Sequence, residues 1–272
     1  MLTASRTAAR EAKEVAIPRA VAWPRPAVVG ALARLETKKL LTSPAFLAGL
    51  GLVGVFVFLA TGGAFFASED GSGIERGSVL VLGAVIGLIA ATLLGANACA
   101  LRAHRDRVGE LFGSLPSPPE ARTAAIVGGV IAGPVLLAMV GSAIAYPVLH
   151  ANPDLHDHVN LALMAQIPLT VLALGSFGIA LARWIRHPIA GPVAIVVHVM
   201  TPIIWVVPWV ASTPTGIRMG WHYTYLVAAI VFWVSLALAG DRRQARLLAI
   251  PMVALAVAVV SASFQMPPGG LL

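Results

Sequence analysis

The sequence predicts an all-α fold: a polytopic transmembrane bundle of about six to seven spans, preceded by an N-terminal interfacial elbow helix. Three observations carry that prediction. Of the 272 residues 58% are hydrophobic and 11% charged, where soluble domains carry about 25% charged residues. Seven runs hold no Asp, Glu, Lys or Arg: 40–68, 77–101, 123–153, 158–182, 187–217, 219–240 and 247–272. Each can supply the ~20 apolar residues that a bilayer-spanning helix needs. Finally, the basic residues gather at the ends of these runs.

The same composition excludes other classes. The lone Cys99 falls inside a predicted span, which rules out a disulfide framework or a cysteine metal site within one chain. A pI near 10.5 could indicate nucleic acid, but basic residues at span ends mark membrane topology instead. The first 27 residues are polar, basic and broken by Pro18, Pro24 and Pro26, so they do not form a cleavable signal peptide. Arg outnumbers Lys sixteen to three, which with the Ala-rich spans points to a GC-rich bacterial source.

Charge placement orients the chain. With a cytoplasmic N-terminus, the inner segments 1–39, 102–122, 183–186 and 241–246 hold seventeen of the nineteen Lys and Arg residues. Only Arg76 and Arg218 fall outside. The positive-inside rule therefore sets the N-terminus in the cytoplasm, as expected of a multi-pass protein of the bacterial inner membrane.

The elements follow in order. Residues 1–44 form a cytoplasmic arm and an amphipathic helix, in which Val28, Leu32 and Leu35 make an apolar stripe beside Arg34 and Lys38. Pro44 marks a sharp turn into the membrane domain, 45–265. Its spans lie near 45–66, 78–101, 123–147, 159–182, 188–210, 222–240 and 247–265, and 266–272 form a tail. Seven spans leave the C-terminus outside; a re-entrant last segment would leave six. Phe65, Phe66, Tyr146, Trp205, Trp209, Trp221, Tyr223 and Tyr225 sit near outer span ends, as interfacial aromatics do. Gly83/Gly87 and Gly129/Gly133 allow close helix approach, read here as packing within one bundle. Pro188, Pro192, Pro202 and Pro208 predict a kinked fifth span.

One loop stands apart from its greasy surroundings. "HRDRVGELFGSLPSPPEAR", His104 to Arg122, carries six charges and three prolines. Val108, Leu111, Phe112 and Leu115 fall at i, i+3, i+4 and i+7, one stripe of a helix. Pro116, Pro118 and Pro119 then stop it. Two turns are not stable alone in water, so something must cover the stripe. Lipid, the protein's own inner helices and a partner's groove are the three covers.

Polar residues inside the spans are fewer. Asn97, Gln166 and His198 are costly at membrane depth, and either bond a neighbouring helix or line a substrate path. His150, Asp154, His156, Asp157 and His158 crowd one outer loop, which an exposed polar connection explains without a metal. Ser176 in "GSFG", with His198 on the next helix, raises an intramembrane serine protease, although the serine is offset from the spacing such enzymes use. No lysine follows a glycine, so the chain has no phosphate-binding loop for ATP.

Two segments together resemble the ABC-2 type transporter permeases, the membrane subunits of one class of ABC exporter. Glu36, Lys38, Lys39, Ser43, Pro44 and Phe46 match the family's elbow helix. Glu110-Leu111-Phe112-Gly113-Ser114-Leu115-Pro116 matches its coupling helix between spans two and three. The motifs cover about forty residues. The resemblance implies two permease subunits, identical or paralogous, above two ATP-binding subunits that hold ATP and Mg²⁺; this chain then needs no cofactor and is not an enzyme. Val108, Leu111, Phe112 and Leu115 would fill a groove of the ATPase, with Arg105, Arg107 and Glu110 on its rim. Spans poor in charge suit an amphipathic drug, antibiotic, lipid or peptide better than a small ion. Two departures stand: the run after "DRRQAR" exceeds the family's six spans, and 211–221 is short for its outer hairpin. A non-transport membrane protein, such as an immunity factor or scaffold, is the alternative class.

Overall fold

The computed structural model describes residues 26–61, 76–106, 118–151, 161–200, 218–242 and 245–265. Among them every regular element is a helix. Helix α1, Pro26–Leu41, opens on a proline whose missing N–H costs nothing at that position. It closes in a tight turn, where Thr42 N–H donates to Lys38 and Ser43 N–H to Leu40. Ser43 then caps α2, Pro44–Thr61: its Oγ accepts from Phe46 N–H at 3.2 Å. The two helices are bent by 52°. At Pro44 the chain thus makes a capped, bent junction between two helices.

Small residues bring α2 against α3, Arg76–Arg105. Gly49 lies on Ala91 and Gly87 on Val53, so closely that a Cβ at either glycine would overlap its neighbour. The pairing of 49 with 91 and 53 with 87 makes the helices antiparallel. The next rod is α4, Pro119–Val130, a π turn at Ile131–Val135, and α5, Leu136–His150. Pro134 sits inside the π turn, whose wider winding accommodates a residue without an N–H. On this rod Gly128 meets Ala33, Gly129 meets Glu36 and Thr37, and Gly133 meets Thr37 and Leu41. Helix α1 therefore seats its second half on a glycine face. Of the two glycine pairs read from the sequence, Gly87, Gly129 and Gly133 serve contacts inside the bundle, and Gly83 is buried.

Helix α6, Leu161–Trp184, occupies the centre. Gly175 packs on Thr92 and Gly178 on Leu93, so α3 and α6 run in the same direction. Helix α8, Met219–Arg242, lies on the other side of α6. Tyr223 Oη donates to Ala162 O at 2.6 Å, and Trp184 Nε1 to Leu236 O at 2.9 Å. Those pairings make α8 parallel to α6 as well. Helix α7, Ala190–Met200, starts beside α3. Helix α9, Ala249–Gln265, returns antiparallel along α8, and Gln265 O accepts from Arg218 N–H.

The core is apolar, with Leu40, Phe46, Leu93, Val130, Val171 and Ile179 almost fully buried. So are Thr92, Asn97, Gln166 and Thr170, while Ile144, Val148, Val196, Met252 and Val253 are exposed. Buried polar groups beneath an apolar outer surface suit a lipid surrounding, not water.

Four helical stretches are long and apolar enough to cross a membrane: Gly83–Arg102, Glu120–Val148, Met164–Trp184 and Met219–Gly240. The bent pair Pro26–Leu41 with Pro44–Val55 would make a fifth. Helix α9 is apolar but shorter, at 17 residues. The described residues thus hold four or five candidate spans where the sequence predicted six or seven. Past Met200, the expected fifth span lies outside the described residues.

Candidate functional site

Parallel packing of α3, α6 and α8 delivers Arg105, Trp184 and Arg242 to one end of the bundle. The residues that matched an elbow helix meet α3 there. Glu36 lies on the face of α1 turned to the bundle, with its carboxylate 3.7 Å from Lys39 Nζ and 3.7 Å from Arg102 Nη1. Arg102 also reaches back along its own helix, and its Nη2 donates to Cys99 Sγ at 3.4 Å. Lys38 points to the exposed side and Pro44 opens α2. The predicted stripe of α1 is the outer one: Val28 and Leu35 are nearly half exposed, while Leu40 is buried.

Of the predicted coupling residues, Arg105 is described; it is exposed and pairs with Asp106 at 3.3 Å. Arg107, Val108, Glu110, Leu111, Phe112, Leu115 and Pro116 lie outside the described residues. Both flanks of that loop are fixed. On one side is the last turn of α3, tied to Glu36. On the other, Glu120, Ala121 and Thr123 bury the first turn of α4.

The predicted path residues are not assembled into one site. Asn97 is 3% exposed, and its Nδ2 donates to Gly178 O at 3.0 Å. Gly191 of α7 sits against its Oδ1. The side chain thus joins three helices. Gln166 is equally buried, one turn before Thr170, whose hydroxyl donates to its backbone carbonyl. His198 lies on α7, but its side chain falls outside the description. Ser176 is 1% exposed within α6, and its Oγ has no hydrogen-bond partner among the described residues.

A buried polar cluster at the opposite end was not expected. His222 Nδ1 and Gln265 Oε1 lie 3.2 Å apart between α8 and α9, with Ser261 one turn earlier on the same buried face. Trp221 stacks on Phe264 beside them, centroids 5.0 Å apart. Forty-three residues separate the histidine from the glutamine. The only sequence signal was a polar residue at the rim of each of the last two apolar runs.

His150, the last residue of α5 and the first histidine of the His/Asp-rich stretch, stacks on Tyr146. The rest of that stretch, 152–160, is outside the described residues. Among the described residues, no three His, Cys, Asp or Glu side chains gather as metal ligands. No family model matches the chain, and neither the curated proteins nor the solved structures give a match.

Proposed function

We propose that this chain is the membrane-spanning subunit of an ABC-2 type exporter. It would move an amphipathic cargo (drug, antibiotic, lipid or peptide) with energy from a separate ATPase. The observation that carries the reading is the Ser43-Pro44 elbow, with Glu36 held against Arg102 at the end of α3. Four residues beyond Asp106 begins the Glu110–Pro116 motif that resembles a coupling helix. A loop anchored there can move α3, and through Glu36 it can move α1 and the bend into α2. Such a linkage is what an ATP-binding subunit beneath the membrane needs.

In this reading the basic end faces the cytoplasm of a bacterial cell, in the inner membrane. Two permease subunits, identical or paralogous, flank the path, each above one ATP-binding subunit. Six to seven spans complete the domain, and 1–44 supply the arm and the interfacial helix. Amphipathic cargo fits because the buried polar groups between α3, α6 and α7 are neutral.

The test is the double substitution Phe112→Ala with Leu115→Ala, read by ATPase pull-down and by transport-stimulated ATP hydrolysis at equal expression. Central anchors of an interface typically cost ~2 kcal/mol or more each when truncated. Association should fall or hydrolysis should uncouple from export, while membrane insertion persists. If both readouts match the parent, the loop stripe is covered by lipid or by its own bundle. The permease reading then gives way to a non-transport membrane protein.

A further inference from the structure

Helix α9 packs along α8 and makes no comparable contact with another described helix. Its buried face is built from small residues, Pro251, Ala254, Ala258 and Ser261, and ends at Gln265. Met252, Val253, Val259 and Val260 are exposed on the remaining surface. In a bilayer such apolar contacts hold two helices only through close packing, because lipid tails solvate the same surface equally well. Polar links therefore weigh more in deciding whether α9 stays in place.

Two such links meet at the far end of α9. Gln265 O accepts from Arg218 N–H at 3.2 Å, and Gln265 Oε1 lies 3.2 Å from His222 Nδ1. His222 is fully buried there, and Trp221 and Phe264 stack beside it. With Nδ1–H donating to Oε1, the neutral ring carries no hydrogen on Nε2. That atom, Ser261 Oγ and Gln265 Nε2 are all buried without a hydrogen-bond partner.

A second proton would have to settle on Nε2, and nothing nearby is built to receive the charge. On α8 itself Tyr223 and Tyr225 flank the ring, each with its centroid 6.4 Å away, and phenols are neutral where imidazole titrates. Arg218, one turn before His222, is exposed and a cation, so it would oppose the charge. The helices packed against α8 are α6, α9 and α4. Helix α9 has no acidic or basic side chain from Ala249 to Gln265, and α6 has none from Leu161 to Ala182. Glu120 and Arg122 of α4 belong to its first turn, at the opposite end. Among the described residues no carboxylate acts on the ring. A charge buried without a counter-ion is costly, whereas a freed helix end lets the imidazolium reach water.

We infer that His222 and Gln265 form a proton-sensitive latch: the neutral imidazole holds the end of α9 on α8, and protonation frees it. Release grows as the pH falls through the range of a solvated imidazole, about 6.5, by up to about tenfold per pH unit for one proton taken up. This rests on the membrane character of the bundle and is independent of the permease reading.

The full chain is placed in phosphatidylcholine nanodiscs, whose surface charge is the same at about pH 8 and about pH 5, the span over which histidine titrates. Spin labels on Val148→Cys, exposed near the end of α5, and Ser263→Cys, exposed on α9, report the position of the helix end by pulsed electron paramagnetic resonance. At the higher pH the parent should give one narrow distance distribution. At the lower pH a second, broader population should appear, and it should vanish when the pH is raised again. His222→Gln keeps a hydrogen-bonding side chain that takes no proton, and should stay latched in acid. Gln265→Glu sets a carboxylate opposite the ring and should also hold α9 in acid; if His222→Gln fails to fold, this variant decides. A parent distribution unchanged by pH overturns the inference, as does an acid response retained in His222→Gln. Release of Gln265→Glu in acid to the parent's extent overturns it too.

Discussion

Glu36 and Arg102 face each other across the junction of α1 and α3, carboxylate to guanidinium at 3.7 Å. Their side chains are 19% and 30% exposed, so water screens the pair only in part. Lys39 shares the same carboxylate from one turn along α1. One acid thus holds two cations, one on each helix, where an unshielded cluster of bases would push α1 away.

Neutralising that acid should loosen the junction. Glu36→Gln should lower stability in detergent by about 1 kcal/mol, the upper range for a partly exposed pair. A double-mutant cycle with Arg102→Gln should return a coupling of about 0.5–1 kcal/mol. Thermal unfolding of the four proteins checks it, and zero coupling would mean that α1 is held by its glycine contacts alone.

Glycines in this bundle divide into two kinds. A Cβ at Gly178 would sit 2.5 Å from the Leu93 carbonyl oxygen, a backbone atom that cannot swing aside. Gly178→Ala should therefore cost about 1–3 kcal/mol, the usual penalty of overpacking. At Gly141 of α5 a Cβ meets nothing within 4 Å. Gly141→Ala should be neutral or stabilise by up to about 1 kcal/mol, because glycine is a poor helix residue. Melting curves of the two variants decide, and equal effects would contradict the packing described.

Asn97 offers a separate test. Its bond to Gly178 O is buried and joins α3 to α6. Asn97→Ala should cost about 1 kcal/mol, the usual size of a hydrogen bond between membrane helices. If the chain is an exporter subunit as proposed, the protein that remains folded should bind the ATPase and export as the parent does. A loss of export at full stability would restore Asn97 to the substrate path.

Membrane orientation is open to direct labelling. Single cysteines at Ser72, Asp154 and Thr215 should react with an impermeant reagent in intact cells, and those at Asp106 and Trp184 only after permeabilisation. Native Cys99 is buried and should stay silent. Labelling of position 106 in intact cells would reverse the orientation. A C-terminal tag should react from outside; protection there would show that α9 does not cross.

Fold class was legible because charge-free runs and helical membrane segments follow from the same physics: no water is present to satisfy an open backbone. Gly129 and Gly133 were legible for a related reason, as small residues four apart leave a flat face. Here that face takes up Thr37 and Leu41. The π turn at Pro134 was not, because proline density drew attention to the span at 188–210, and one proline in a long apolar run can be absorbed in several ways. His222 and Gln265 escaped for a different reason. Their meeting depends on α9 folding back antiparallel along α8, a tertiary fact with no periodicity to announce it. At the charged end, Glu36 was singled out by motif, but its partner Arg102 had been counted only as a topological charge.

The shared direction of α3, α6 and α8 bears on how the chain is made. Helices emerge from the ribosome alternately pointed, so neighbours in sequence pair easily as hairpins. The central seams here join α3 to α6 and α6 to α8, across the intervening α4–α5 rod or the shorter α7. Until α6 is synthesised, the Asn97 amide lacks the Gly178 carbonyl and must find another partner. Biogenesis therefore passes through a half-built state, with the α3 seam uncovered, that ends when α6 inserts. Arrest of translation before residue 161 would trap that state for cross-linking to its insertase.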